Sequence, residues 1–312
     1  MSKMEISIVI PAYNEEGNII PLYNKIIESF SKITNKFEII YVDDGSNDAT
    51  SNNVGELHKK DSRVHLLQFR RNFGKAAALS AGIEHAKGDV IVTMDADLQD
   101  DPAEAHKLLD KLNEGYDLVI GWKQRRKDPF LGKKLPSNIF NLLIRILHGV
   151  KIHDSDCNFR AMKKELVKDL LFYGGLFRYI PSLAHWKGYN VAEVPVIHQQ
   201  RFSGKAKFKS VTRLFKGSLD LLTTTFLISY RNSPLYFFGS SGLVLLGLGF
   251  LSGISLLYNK YIMGQLIAGR PLLLLTILLI ILGIQFIFFG LLAEMVTYNS
   301  QQVKNYTIKK KI

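Results

Sequence analysis

A single cysteine, Cys157, stands in a chain of 312 residues. That excludes an intramolecular disulfide and suits a reducing compartment. Acidic residues are also in short supply: 28 Asp and Glu face 40 Lys and Arg, a formal net charge of +12. Such an excess invites an anionic partner: nucleic acid, anionic lipid or a phosphorylated substrate. No stretch resembles an RNA- or DNA-binding module, so nucleic acid is set aside. The basic residues thicken toward apolar sequence, which favours a membrane surface. A signal peptide is missing too, because residues 1–10 are too short for one and lead straight into a strand. The bulk of the chain is therefore expected in the cytoplasm.

Long apolar runs are absent from the first two thirds of the chain and concentrated in the last. Residues 234–258 and 271–293 carry no charged side chain, and each is long enough for a bilayer that needs about 20 residues. The short linker between them, 259–270, puts both ends on one side. The soluble part is basic and the tail closes with Lys309-Lys310-Lys311, which assigns that side to the cytoplasm. The spans hold no charge relay, so they read as anchors and not as a transport path.

The first two thirds alternate strands and helices. Residues 5–10, 37–42, 64–69, 90–94 and 116–121 are apolar, β-branched runs that predict strands. Helical spacing occupies 18–30, 49–60, 74–86 and 103–113 between them. This alternation predicts a parallel sheet of βαβ units, in which ligands sit beyond the C-terminal ends of the strands. Residues 191–196 predict an edge strand, since an edge tolerates Pro195. Residues 153–160 read as a polar loop before a helix near 163–171.

Three polar clusters fall at three predicted strand ends: Tyr13-Asn14-Glu15, Asp43-Asp44 and Asp95-Ala96-Asp97. On a continuing strand, Asp95 and Asp97 would point to one side. Carboxylates crowded in this way repel one another unless a cation lies between them. Mg²⁺ and Mn²⁺ take oxygen ligands and share them with substrate phosphates, so a metal site holding a diphosphate is one reading. In the other, the acids cap the following helix, with Pro102 in its first turn and Asp100 or Asp101 as the capping residue.

Two basic segments follow, Lys123-Gln124-Arg125-Arg126-Lys127 and Lys133-Lys134-Leu135-Pro136-Ser137. Taken alone they are solvated loops. Their place between the sheet and the membrane-directed sequence points to phosphate or lipid-headgroup binding. A third cationic segment, 198–209, holds Arg201, Lys205, Lys207 and Lys209 around Gly204. Residues 211–230 then read as an amphipathic interfacial helix. The expected layout is a catalytic domain over 1–209, a juxtamembrane helix over 210–232 and a two-span anchor over 233–312.

The runs Ile8-Val9-Ile10-Pro11-Ala12-Tyr13-Asn14-Glu15-Glu16, Val42-Asp43-Asp44-Gly45-Ser46 and Asp95-Ala96-Asp97-Leu98-Gln99-Asp100 together resemble family 2 glycosyltransferases of the GT-A fold. With Arg71-Asn72-Phe73-Gly74-Lys75 and two C-terminal spans, the chain is similar to polyprenyl-phosphate glycosyltransferases: the dolichyl-phosphate mannosyltransferase kind and bacterial undecaprenyl-phosphate sugar transferases. The resemblance implies an α/β, Rossmann-like, mostly parallel GT-A domain, followed by interfacial helices and two transmembrane helices.

It also implies site roles. Pro11, Tyr13, Glu15, Asp43, Asp44, Lys75 and Asp95 would bind the nucleotide sugar. Asp95, Asp97 and Gln99 would hold Mg²⁺ or Mn²⁺ and the diphosphate. Lys123, Lys133 and Ser137, with Arg201 and Lys207, would bind the acceptor phosphate. Relatives carry an Asp before the Phe-Arg pair where this chain has Asn158, so Asp154 replaces it as the base candidate beside the catalytic Asp97 and Arg201. Relatives also include tetramers packed through their membrane segments, which makes a homo-oligomer the implied assembly. The implied partners are a nucleotide sugar, with a UDP-hexose preferred, undecaprenyl phosphate and the membrane.

The implied reaction is attack by a lipid phosphate oxygen on the anomeric carbon, with inversion. A phosphate monoester with a second pKa of about 6 is already largely dianionic at neutral pH, so little base catalysis is needed. A soluble-donor transferase that modifies protein is one competing reading, and two other classes compete as well. A processive polysaccharide synthase shares the Asp-x-Asp pattern, but Gln199-Gln200-Arg201-Phe202 is not the Gln-x-x-Arg-Trp of those enzymes, and two spans are few for a polymer channel. A non-catalytic membrane protein that binds nucleotide sugars is the other.

Overall fold

The computed structural model describes residues 5–123, 149–150, 152–154, 157–170, 177, 179–197, 199, 219, 221–226, 229–230, 233–267 and 269–300. Contacts divide the chain into two units, 1–225 and 226–312.

The first unit is built on seven strands: β1 (Ile6–Ala12), β2 (Phe37–Asp43), β3 (Val64–Gln68), β4 (Val90–Thr93), β5 (Leu118–Lys123), β6 (Arg160–Lys163) and β7 (Val191–Val196). Their order is β3-β2-β1-β4-β6-β5-β7. The pairs β1/β2, β1/β4, β2/β3 and β5/β7 are parallel; β6 lies antiparallel between β4 and β5. Strands buried on both faces read as continuous apolar runs, and the residues of β1, β2 and β4 are buried almost without exception.

The helices cover the sheet with one apolar face each. In α1 (Glu16–Phe30) the buried residues Ile19, Leu22, Ile26 and Phe30 recur at helical spacing. Helices α2 (Thr50–Lys60) and α3 (Lys75–His85) follow. A Cβ at Gly82 of α3 would run into Val9 and Val42, so only glycine lets this helix lie so close to β1 and β2. A 3₁₀ turn over Pro102–Glu104 opens α4 (Ala105–Asn113), and two short helices, α5 (Lys164–Asp169) and α6 (Ile180–Trp186), complete the unit.

β6 departs from expectation. Residues 160–163 fall where the pattern predicts the end of a polar loop and the start of a helix, yet they form a strand inside the sheet. Arg160 is only 1% exposed. Its guanidinium donates to the carbonyls of Cys157 at 2.6 Å and Phe177 at 2.8 Å, which supplies the partners a buried charge requires. The helix expected over 163–171 shortens to α5. Helix α6 was not foreseen.

The second unit contains α7 (Pro234–Tyr261) and α8 (Pro271–Ser300), 28 and 30 residues long. At 1.5 Å per residue each exceeds the roughly 30 Å hydrocarbon core of a bilayer, and both are candidate membrane spans. They meet through small residues: a Cβ at Gly283 would lie 2.7 Å from Leu246 Cγ and 2.9 Å from the Gly242 carbonyl oxygen. Thr276 donates to Ser252 across the same contact at 2.9 Å, the small-residue and hydroxyl packing typical of helices in lipid. Of the expected juxtamembrane helix over 210–232, residues 221–226 are helical and most of the rest lies outside the described residues.

Candidate active site

The sheet register brings the three polar clusters to one edge. Ala12 pairs with Asp43, and Val9 pairs with Thr93. The residues just past β1, β2 and β4 therefore leave the sheet side by side, the place where open α/β sheets hold ligands.

The loops after β1 and β2 are laced together. The Asn14 N–H donates to Ser46 Oγ at 2.9 Å and Asn14 Oδ1 accepts the Asn47 N–H at 2.9 Å. The Glu15 N–H donates to Thr50 Oγ1 at 2.8 Å, while the Glu15 carboxylate accepts Asn18 Nδ2 at 2.6 Å. Asn14 sits at φ 51°, a left-handed conformation that Asn tolerates better than most residues. Tyr13 and Pro11 remain partly exposed beside this loop.

Asp43 and Asp44 are buried at 1% and 4% exposure, and each carboxylate has backbone work. Asp43 Oδ1 accepts the Ser46 N–H at 3.0 Å, and Oδ2 accepts Ser51 Oγ. Asp44 accepts the N–H groups of Phe73 at 2.7 Å and Gly74 at 2.9 Å. Asp44 thereby pins the turn that delivers Lys75. Gly45, at φ +70°, has no room for a Cβ against the backbone of Arg71. Both acids hold the walls of the predicted nucleotide pocket.

Beyond β4 the acids diverge in environment. Asp95 is gripped by Lys75 Nζ at 2.6 Å and by Asn158 Nδ2 at 2.9 Å. Burial opposes its ionisation, but the ammonium groups of Lys75 and Lys123 prevail and hold its pKa below the usual carboxylate range. Asp97 is 8% exposed, and its Oδ1 accepts the Gln99 N–H at 3.2 Å. The turn that produces this contact puts Leu98 at φ 61°, a conformation that costs a bulky residue energy and is met at functional turns.

The capping role belongs to Asp101, which accepts the Ala103 N–H at 3.1 Å. Asp100 has a different partner: its carboxylate pairs with Lys123 at 2.8 Å, with side chains 1% and 11% exposed. Burial disfavours the Lys123 ammonium, yet Asp100 and its acidic neighbours raise its pKa. Lys123, expected on the acceptor phosphate, thus has its charge in the wall beside Asp100. Cys157 lies in the same wall, its thiol pushed up to about 12 by burial. Asp154 is 4% exposed, and its charge reaches that thiol.

Lys75, Asp95, Asp97, Asp100, Lys123, Asp154 and Asn158 thus line one edge. Four carboxylates against two ammonium groups leave a formal deficit of positive charge. Among the described residues no three His, Cys, Asp or Glu side chains converge as a complete metal cage. Asp95 and Asp97 carry hard oxygen donors of the kind a divalent cation takes alongside water and phosphate. The expected acceptor residues Lys133, Ser137, Arg201 and Lys207 lie outside the described residues.

Three partners were not foreseen. Asn158 is a donor to Asp95, a role the sequence does not mark. Lys123 meets Asp100 because β6 and β5 bring it back toward β4. Gln199 donates its N–H to the Gln99 carbonyl at 2.9 Å and its Nε2 to Asp101 at 2.7 Å, tying the chain after β7 to the acidic turn.

Known proteins resemble this chain in sequence and in fold. Residues 7–171 match the profile described as glycosyl transferase family 2. A dodecaprenyl-phosphate galacturonate synthase of Rhizobium johnstonii is 35% identical, covering 99% of this chain and 93% of that protein. An undecaprenyl-phosphate 4-deoxy-4-formamido-L-arabinose transferase of Shewanella sediminis is 34% identical over 93% of this chain and 86% of its own. In fold, the chain resembles glucosyl-3-phosphoglycerate synthase of Mycobacterium tuberculosis, crystallised with Mn²⁺, UDP and phosphoglyceric acid. That match has a TM-score of 0.55 at 21% identity and covers 72% of this chain and 78% of that one.

Proposed function

The chain belongs to glycosyl transferase family 2, and on that premise we propose that it moves a hexose from a nucleotide sugar to the phosphate of a polyprenyl phosphate at the membrane. The observation that carries the reading is the convergence of Lys75, Asp95, Asp97 and Asn158 at the strand ends of a chain with two apolar helices. UDP is the preferred nucleotide and undecaprenyl phosphate the preferred acceptor. The proposed layout keeps 1–209 as the catalytic domain, 210–232 as a juxtamembrane helix and 233–312 as the anchor, with domain and tail on the cytoplasmic side of the inner membrane.

Asp95, Asp97 and Gln99 would hold a Mg²⁺ or Mn²⁺ ion. When bound, that ion offsets charge on the departing diphosphate. The chain's own residues do the rest. Lys75 stands 2.6 Å from Asp95, placing a cation where negative charge gathers on the leaving group. Asn158 donates to Asp95 and cannot accept a proton as a carboxylate would. A phosphate acceptor needs no such base, since its second pKa is about 6. Asp154 stays the candidate for any residual proton handling. Pro11, Tyr13 and Glu15 line the nucleotide side. Lys133, Ser137, Arg201 and Lys207 are assigned to the acceptor phosphate, with Lys123 supporting the acidic wall through Asp100. The anchor brings the site to the surface where the lipid headgroup lies, raising effective concentration.

The test is acceptor chemistry. Purified full-length protein in detergent is given undecaprenyl phosphate or undecaprenol of the same chain length. Labelled lipid formed only from the phosphate supports the reading. Equal transfer to the alcohol, or formation of a long polymer, overturns it.

A further inference from the structure

We propose that His153, Glu193 and Trp122 form a clamp that positions His153 and the adjoining Asp154 for transfer to the acceptor. The proposal rests on the transferase reading above and adds positioning residues to the same site.

Glu193 lies on β7 opposite Ile120 of β5, and Pro195 lies opposite Trp122. Residues two apart on a strand share a face, so Glu193 and Trp122 rise from the same side of neighbouring strands. One carboxylate then grips His153 twice. Oε2 accepts its backbone N–H at 2.7 Å, and Oε1 is bound to the ring Nδ1. The imidazole stacks on the Trp122 indole with centroids 4.3 Å apart and 15° between planes. Isolated surface ion pairs contribute little. Here backbone, side chain and ring face of one residue are all fixed.

The described residues just beyond, 157–160, are held by contacts of their own. Thr93 Oγ1 donates to the Asn158 carbonyl at 2.5 Å, Arg160 Nε donates to the Cys157 carbonyl at 2.6 Å, and Asn158 Nδ2 reaches Asp95. Asp154, 4% exposed, follows His153 directly and sits between these anchors. The clamp therefore sets where Asp154 begins. It comes from β5, β7 and a residue that precedes β6, whereas the residues assigned to the nucleotide sugar come from the ends of β1, β2 and β4 and from the start of α3. A loosened clamp should disturb the acceptor step and spare the donor.

The experiment uses full-length protein in detergent, undecaprenyl phosphate and the sugar nucleotide that the wild type accepts. In Glu193→Ala and His153→Ala, kcat/KM for the lipid phosphate is expected to fall about tenfold or more, as small misplacements of reacting groups do, with donor KM changed by less than about twofold. Glu193→Gln should recover most of the loss, because its amide oxygen and NH₂ still suit the His153 N–H and a neutral ring. A spectroscopic readout is independent of substrate: the chain has two tryptophans, so in a Trp186→Phe background emission reports Trp122 alone and should change when His153 becomes Ala. Unchanged kinetics in both alanine variants of an active enzyme overturn the clamp. So does an equal loss in the Ala and Gln variants with donor and acceptor affected alike. A wild type that makes no lipid-linked product from any donor overturns the transferase reading instead, and Trp122 emission then decides the clamp by itself.

Discussion

Asp95 and Asp97 are two residues apart, yet their surroundings assign them different work. Asp95 is held by Lys75 and Asn158, while the Asp97 carboxylate closes the tight turn onto Gln99. Replacing Asp97 by Asn keeps the shape and removes the charge. Turnover is expected to fall by about 10² or more, the scale of losing one electrostatic contact to the transition state, with membrane insertion intact; near-normal turnover of the purified variant would remove Asp97 from the metal site. Asp61 offers a check far from the chemistry. The Arg63 guanidinium grips it at 3.0 and 2.8 Å and Tyr23 donates to it at 2.9 Å, which holds its pKa at about 2 against an ordinary 3.8. A depressed carboxylate stabilises the fold above its ordinary value and loses that contribution as pH falls toward the folded one. Asp61→Asn should therefore cost about 1 kcal/mol at neutral pH after solvent screening, and the gap to wild type should close between pH 4 and 2 in urea melts. A gap that persists at pH 2 would show that the ion pair is not its source. At this scale the sequence shows which acids cluster and hides what they touch. Asp100 and Lys123 are 23 positions apart, and only the return of β6 and β5 beside β4 makes them partners.

Elements were legible where periodicity was long. β1, β2, β3, β4, β5 and β7 all coincide with apolar runs, and the Pro195 strand lies at the sheet edge. β6 was not legible, because four residues bounded by Arg160 and Lys163 carry no readable period. Its burial depends on carbonyls from Cys157 and Phe177, which are brought in by tertiary structure. The apolar helices are equally clear in sequence, but the way they pack is not. Gly283 and Gly242 let α7 and α8 approach until a Cβ at 283 would sit 2.7 Å from Leu246. Gly283→Leu should destabilise this pair by about 1–3 kcal/mol, the usual cost of overpacking, read as a lower unfolding temperature in detergent. An unchanged melt would mean that the helices do not meet there.

For the whole molecule, the net charge of +12 and the two candidate spans bear on one problem. A donor diphosphate and a lipid phosphate are both anions, and bringing them together at a membrane requires cations and confinement. The acidic edge around Asp95 suits this only when a divalent ion and Lys75 are counted with it. Transfer of labelled sugar from a panel of nucleotide donors into undecaprenyl phosphate, with Mn²⁺ and with chelator, tests that account most directly. One donor giving a lipid-extractable, metal-dependent product is the predicted result. Tight binding of a nucleotide sugar with no transfer under any condition would contradict it.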